Sequence, residues 1–150
     1  MKILKRLIIC IILILLSIIA VCRSINESID TDTNSVRWIG YKETESLRSE
    51  PSSISIPGFD YLVLCADLTT QKVNIYNPDI NECLMIFTLS ADDKIIWQSG
   101  YCKPGDGYYE IELSEPLEAG VYNGTLLNEC FTMNGERLNS AFIHFSLVVQ

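Results

Sequence analysis

Residues 77–105 read NPDINECLMIFTLSADDKIIWQSGYCKPG, and the pattern of this stretch decides the fold class. The continuous apolar run CLMIFTL at 83–89 predicts a central β-strand with both faces covered. Ala91, Asp92, Asp93 and Lys94 predict a tight turn, and residues 95–100 a returning strand that carries Trp97. The run KPGDG at 103–107 predicts a second turn, glycine-rich for positive φ. The stretch is therefore a β-hairpin.

The same alternation of short strands and turns continues on both sides, every eight to twelve residues or so. Upstream, Ile54 and Ile56 lead into Pro57-Gly58, and residues 61–66 (YLVLCA) form an apolar run ended by Asp67. Residues 71–76 put Val73 and Ile75 on one face and Lys72 and Asn74 on the other. Downstream, Tyr109, Ile111 and Leu113 alternate with Tyr108, Glu110 and Glu112. Asn134-Gly135 is a strong hairpin signal, and the last strand places Ile143, Phe145, Leu147 and Val149 on one face. The expected fold of residues 54–150 is all-β, an immunoglobulin-like sandwich of seven to eight antiparallel strands. Leu117-Glu118-Ala119-Gly120-Val121-Tyr122 supports it, because such sandwiches place a tyrosine just after a corner and bond its hydroxyl back to the loop. Tyr122 stands at that position; a plain half-buried strand tyrosine is the alternative.

The amino terminus is of another kind. Residues 7–22 (LIICIILILLSIIAVC) are almost wholly apolar, and Lys2, Lys5 and Arg6 precede them. That is the layout of an export signal, so residues 1–23 read as a signal anchor or a signal peptide. Sixteen helical residues span about 24 Å, short of a ~30 Å hydrocarbon core, but Ile3, Leu4 and snorkelling lysines extend the reach. The small-x-small cleavage rule is only approximated around Cys22, and Val21 is large for a lipoprotein box. Uncleaved anchor, cleaved signal and lipoprotein stay open. In each case the basic flank stays inside and the rest of the chain is exported, either held in the cell membrane by one span or secreted.

Residues 24–53 read as a polar linker. Asp30, Thr31, Asp32, Thr33 and Asn34 match the first half of a calcium loop, but Ser35 and Tyr41 stand where glycine and a bidentate glutamate are needed. The stretch is read as solvated tether. Residues 36–41 (VRWIGY) are an apolar island, either docked on the domain as a strand or lying at the membrane interface.

The chain carries 11 basic and 19 acidic residues, a net charge of −8. All the acids follow the apolar segment, so the exported part is more acidic still. Phosphate binding needs clustered Lys and Arg, so nucleic acid is excluded as a partner. The ordinary reading of the acidic exterior is solubility.

Cys65, Cys83, Cys102 and Cys130 remain after export. An even number in an exported domain favours disulfides, and four cysteines allow three pairings. Cys83 on a central strand and Cys130 beyond the tyrosine corner resemble the inter-sheet bridge of immunoglobulin domains, with Trp97 filling the core beside it. Cys65 and Cys102 would then be the second pair. Free thiols packed as small hydrophobes are the alternative. No two of the four have the close spacing of zinc ligands, and no cofactor is expected.

Catalytic patterns are sparse. The single histidine, His144, lies on the last strand among Phe142, Ile143 and Phe145, a setting more usual for a surface or packed residue. Acid pairs such as Asp92 with Asp93, or Glu110 with Glu112, fit turns and a solvated strand face. There is no GxSxG, P-loop or HExxH motif.

Several short motifs carry a resemblance: I-P-G-F at 56–59, N-P-x-x-N-x-C at 77–83, W-x-S at 97–99, P-L-x-A-G-x-Y at 116–122 and L-N-x-A at 138–141. Together they resemble a family of small, uncharacterised exported β-sandwich proteins of Gram-positive gut bacteria. The resemblance implies export and a β fold, without a chemistry; Cys65 and Cys102 stand outside its pattern. A weaker likeness is to periplasmic copper-carrier sandwiches, whose last hairpin also runs L-x-x-G-x-Y. Their turn histidine is replaced here by Asn134-Gly135-Glu136. The expected function is a non-catalytic interaction module at the cell surface, with another protein as partner. A carrier of a small ligand or metal is the runner-up and an enzyme using an acid pair the third. Within the sandwich, the exposed turns at Asp92-Asp93 and 104–107 are the expected contact points.

Overall fold

A computed structural model of the chain describes residues 29–40 and 54–150. They form eight strands: β1 (Val36–Arg37), β2 (Tyr61–Leu64), β3 (Thr70–Tyr76), β4 (Leu84–Ala91), β5 (Lys94–Gln98), β6 (Asp106–Glu112), β7 (Gly120–Phe131) and β8 (Arg137–Val149). One sheet has the order β1-β6-β3 and the other β2-β8-β7-β4-β5. The all-β class holds, and the described residues contain no helix.

The core lies between the two sheets because each strand's apolar set falls on one side of the pleat. Val73, Ile75, Tyr108 and Ile111 of the smaller sheet meet Met85, Phe87, Leu89, Leu126, Phe145 and Leu147 of the larger one in a single cluster. Tyr108 sits at its centre, edge-on to Phe87 (ring centroids 6.2 Å apart) and to Trp97 (5.0 Å). β4, central as its unbroken apolar run predicts, is flanked by β7 and β5 and buried on both faces.

The turns follow their residues. Ala91 pairs with Lys94, so Asp92 and Asp93 form a two-residue hairpin loop with φ of 45° and 67°. The Asp92 carboxylate accepts from the backbone and side-chain N–H of Asn123, 2.8 and 2.9 Å. Gly135, at φ 83°, turns β7 into β8.

Several expectations are corrected. The strands are not all antiparallel: β2 runs parallel to β8, with Tyr61 opposite Ser146 and Leu64 opposite Val149. The chain enters β2 from residues 54–60, which cross one side of the core with Ile54, Ile56 and Phe59 packed on it, and this approach sets the direction. The alternation in β6 is also shifted. Tyr108 is 2% exposed while Tyr109 is 39% exposed, and the register between β3 and β6 slips between Lys72 and Ile75.

The linker is corrected as well. Residues 29–40 are part of the folded unit. Thr31 bridges Tyr101, and β1 pairs with β6, Val36 opposite Gly107. Asp32 is no solvated tether residue: its carboxylate accepts from Gly100 N–H, Tyr108 O–H and Asn34 N–H, at 2.8, 2.8 and 2.9 Å. Of the two readings for the apolar island, its described part takes docking as a strand. Trp38 stacks on Tyr76 at 3.8 Å and donates to Asn74 Oδ1. The export segment 1–23, with Cys10 and Cys22, and residues 41–53 lie outside the described residues.

Candidate functional site

Cys83 immediately precedes β4, and Cys130 lies on β7 opposite Met85. These two strands are neighbours in one sheet, so the pair does not bridge the sheets as in an immunoglobulin domain. Both are buried thiols, and no disulfide joins any of the four described cysteines. The contact between them lowers the pKa of Cys83 and, with burial, raises that of Cys130. Cys65 and Cys102 are not brought together. Cys65 follows β2 and is exposed; Cys102 is buried and pairs with Met85 of β4. β8 and β7 separate β2 from β4, which puts them roughly 14 Å apart at ~4.8 Å per strand. Burial raises the Cys102 thiol to about 12, so it is neutral and unreactive at neutral pH.

Met85 thus lies between Cys130 on one side and Cys102 on the other, with Asn77 closing the end of the core. Asn77 is fully buried, and its Nδ2 donates to the carbonyls of Cys83 (2.8 Å) and Cys102 (3.1 Å). Its Oδ1 accepts from Asn81, whose own side chain exchanges two bonds with the backbone of Ser55. Every donor here has a partner within the protein, the arrangement of a structural plug. Among the described residues no three His, Cys, Asp or Glu side chains are grouped to hold a metal ion.

Trp97 is half-buried on β5 at the rim of the core. The fully buried residue of that strand is Ile96, which the register slip between Leu89 and Ser90 turns inward. Tyr122 donates from its hydroxyl to the Glu118 carbonyl at 2.9 Å, the bond a tyrosine corner requires. It also lines an open cleft of about 440 Å³ with Asp92, Ile96, Glu118 and the Lys94–Glu115 ion pair. The only nitrogen in that lining not from the backbone is Lys94, already engaged by Glu115.

His144 is exposed on β8. Its Nδ1 lies 3.2 Å from Thr125 Oγ1, and its ring runs parallel to that of Phe142. The two side chains belong to a larger feature, the outer face of the five-stranded sheet. Cross-strand partners share a face, so the register fixes its rows. Val121, Val148 and Val63 make one row, Asn123, Ser146 and Tyr61 the next, then Ser90, Thr125 and His144, then Thr88, Leu127 and Phe142. None of these residues carries a formal charge at neutral pH, in a chain of net charge −8. Val121 is 73% exposed, Tyr61 66% and Phe142 62%. Two acids border these rows: Asp92 at one margin, bonded to the Asn123 side chain, and Glu129 at the other, held by Arg137 at 2.7 Å.

The sequence reading passed over this face. Its signal was available: between 121 and 127 on β7 and between 140 and 148 on β8, the positions that alternate with the core set are Val, Asn, Thr, Leu, Ser, Phe and His, with no Lys, Arg, Asp or Glu. The two turns it favoured are occupied instead with holding the fold. Asp92 ties β5's turn to Asn123, and Gly105 exchanges backbone bonds with Asn77 and Trp38. No family model, no curated protein and no solved structure matches the chain.

Proposed function

We propose that the chain is a non-catalytic interaction module of the extracytoplasmic space, held at or released from the membrane by its amino-terminal segment, and that the working part is an immunoglobulin-like sandwich. The strand order supports that finer fold reading. A five-stranded sheet ending in β8, β7, β4 and β5 opposite a sheet that pairs β3 with β6 follows the order of variable-type domains, and the Tyr122 corner opens β7. Trp97 on β5 and Cys83 beside β4 depart from that pattern. The basic flank and apolar run of residues 1–23 support export.

The observation that carries the functional reading is the uncharged outer face of the larger sheet. An antiparallel sheet that merely faces water is polar on that side, and Lys, Glu, Arg and Asp are the residues most often exposed. Here several rows lack charge, and depletion of charge with exposed aromatic residues is the signature of a protein–protein contact core. The partner is another protein at the cell surface. A photo-reactive amino acid at Val121 or Leu127, in intact cells, is expected to yield an adduct with another protein, while one at Lys72 on the opposite sheet yields none. Equal labelling from both faces, or none from either, overturns the reading.

A further inference from the structure

The strand edges of this protein are unequal. β1 has two residues and β2 four. β5 has five residues, is bulged, and opens with Lys94 in an ion pair. β3 carries Lys72 and a register slip against β6. Each is blunted in the ways that keep sheet edges from pairing with other chains. β6 also outruns its neighbour, since β1 covers only Asp106 and Gly107, but the uncovered part carries Glu110 and Glu112. β8 is the exception, long, uncovered and without charge along its open part. It has 13 residues, and β2 covers only the four from Ser146 to Val149. Upstream of Ser146 no described strand lies on that side.

The direction of the free backbone groups follows from the bonds that β8 does make. Ser146 N–H donates to Asp60 and Gln150 N–H to Leu64, both on the β2 side. Residues alternate in direction along a strand, so Ser140, Phe142 and His144 also aim their N–H and C=O toward the open side. The register against β7 slips between Ser140 and Arg137 and ends this phase, and β2 ends it at Ser146. What remains is a window of five residues, 140–144, centred on Phe142. Its sequence is SAFIH, uncharged in a chain of net charge −8.

We propose that this edge pairs antiparallel with the same edge of a second copy of the chain, across a twofold axis at Phe142, joining two five-stranded sheets into one of ten. A twofold pairing requires that the window read the same from both ends. It does. Phe142 faces Phe142 of the second copy and Ser140 faces His144, so all outward N–H and C=O groups of these residues are matched and none is left over. The same operation keeps the uncharged outer faces on one side. The exposed Phe142 rings meet across the axis, as aromatic cross-strand pairs do. Copies of an acidic protein repel, and this edge is where they approach without bringing carboxylates together. The inference stands on the edge itself and does not depend on the partner proposed above.

The test uses the full chain in detergent micelles. Sedimentation is expected to find a monomer–dimer equilibrium. Phe142→Lys and Ser140→Pro, which removes an N–H that β7 does not use, are each expected to weaken the dimer at least tenfold. Val121→Lys, on the same face but away from the edge, leaves it unchanged. Hydrogen exchange gives a second readout: the amides of Ser140, Phe142 and His144 slow as protein concentration rises, while those of Ala141 and Ile143 stay slow throughout. A monomer at every concentration with fast outward amides overturns the proposal. Outward amides that are slow in the monomer also overturn it, because the chain then covers its own edge. A dimer that survives both edge variants places the contact elsewhere and overturns it too.

Discussion

Asn77 and Asp32 are the two side chains that hold the ends of the fold to its middle. Asn77, fully buried, satisfies two carbonyls, and Asn81 leans on it to hold Ser55. Replacing it by alanine orphans buried groups, at a cost of about 1–3 kcal/mol. Denaturant unfolding of Asn77→Ala is expected to register that loss as a lower midpoint with an unchanged slope. Asp32 acts through its charge. Burial alone would raise its carboxyl, but the amides of Asn34 and Gly100 and the Tyr108 hydroxyl outweigh burial and set it below the ordinary 3.8. A depressed folded value means that the carboxylate's contribution is present above the unfolded value and lost as pH falls through the folded one. The stability gap between the protein and its Asp32→Ala variant is therefore expected to be constant above pH ~4 and to narrow as pH falls below it. Unfolding midpoints of both proteins across pH 2–7 check this; a gap independent of pH refutes the charged role.

At the level of elements, the Asp92-Asp93 turn shows a residue choice that the backbone tolerates rather than prefers. Both residues have positive φ, and a two-residue loop of this hand favours glycine at its second position. Asp92 is used by Asn123, while Asp93 makes no such bond. Asp93→Gly is expected to raise the unfolding midpoint, by up to ~1 kcal/mol, and Asp92→Gly to lower it. Much of this hairpin was legible beforehand. The strand at 83–89, the turn and the return all lie where the apolar run and the two aspartates predict. What was not legible was the face of β6. Tyr108 and Tyr109 are equally good strand residues, and only the slipped register against β3 decides which of them enters the core.

For the molecule as a whole, the cysteines report how the two sheets are packed. Cys65 is exposed, whereas Cys83, Cys102 and Cys130 are buried in the core. A thiol reagent applied to the folded protein is expected to label Cys65 at once and the other three only as the protein unfolds, with peptide mapping by mass as the readout. Rapid labelling of Cys102 would contradict the packing around Met85. The same arrangement explains why the bridge inferred from an immunoglobulin pattern was misplaced. The immunoglobulin pattern pairs Cys83 with Cys130 across two sheets, whereas the strands beside and holding them are neighbours in one sheet and both thiols are free.

Local chemistry settled a good deal without tertiary help: the β class, the central position of residues 83–89, the Tyr122 corner and the hairpin at Gly135. Each rests on the two-residue period of a strand or on the φ that a turn residue accepts, which neighbours in sequence determine. The tertiary structure decided the rest. The parallel pairing of β2 with β8, the docking of residues 29–40 by Asp32 and Trp38, the uncharged outer face and the open edge at Phe142 all arise from contacts between residues distant in the chain. Their free energy exists only once both partners are in place, so no reading of one stretch at a time contains it.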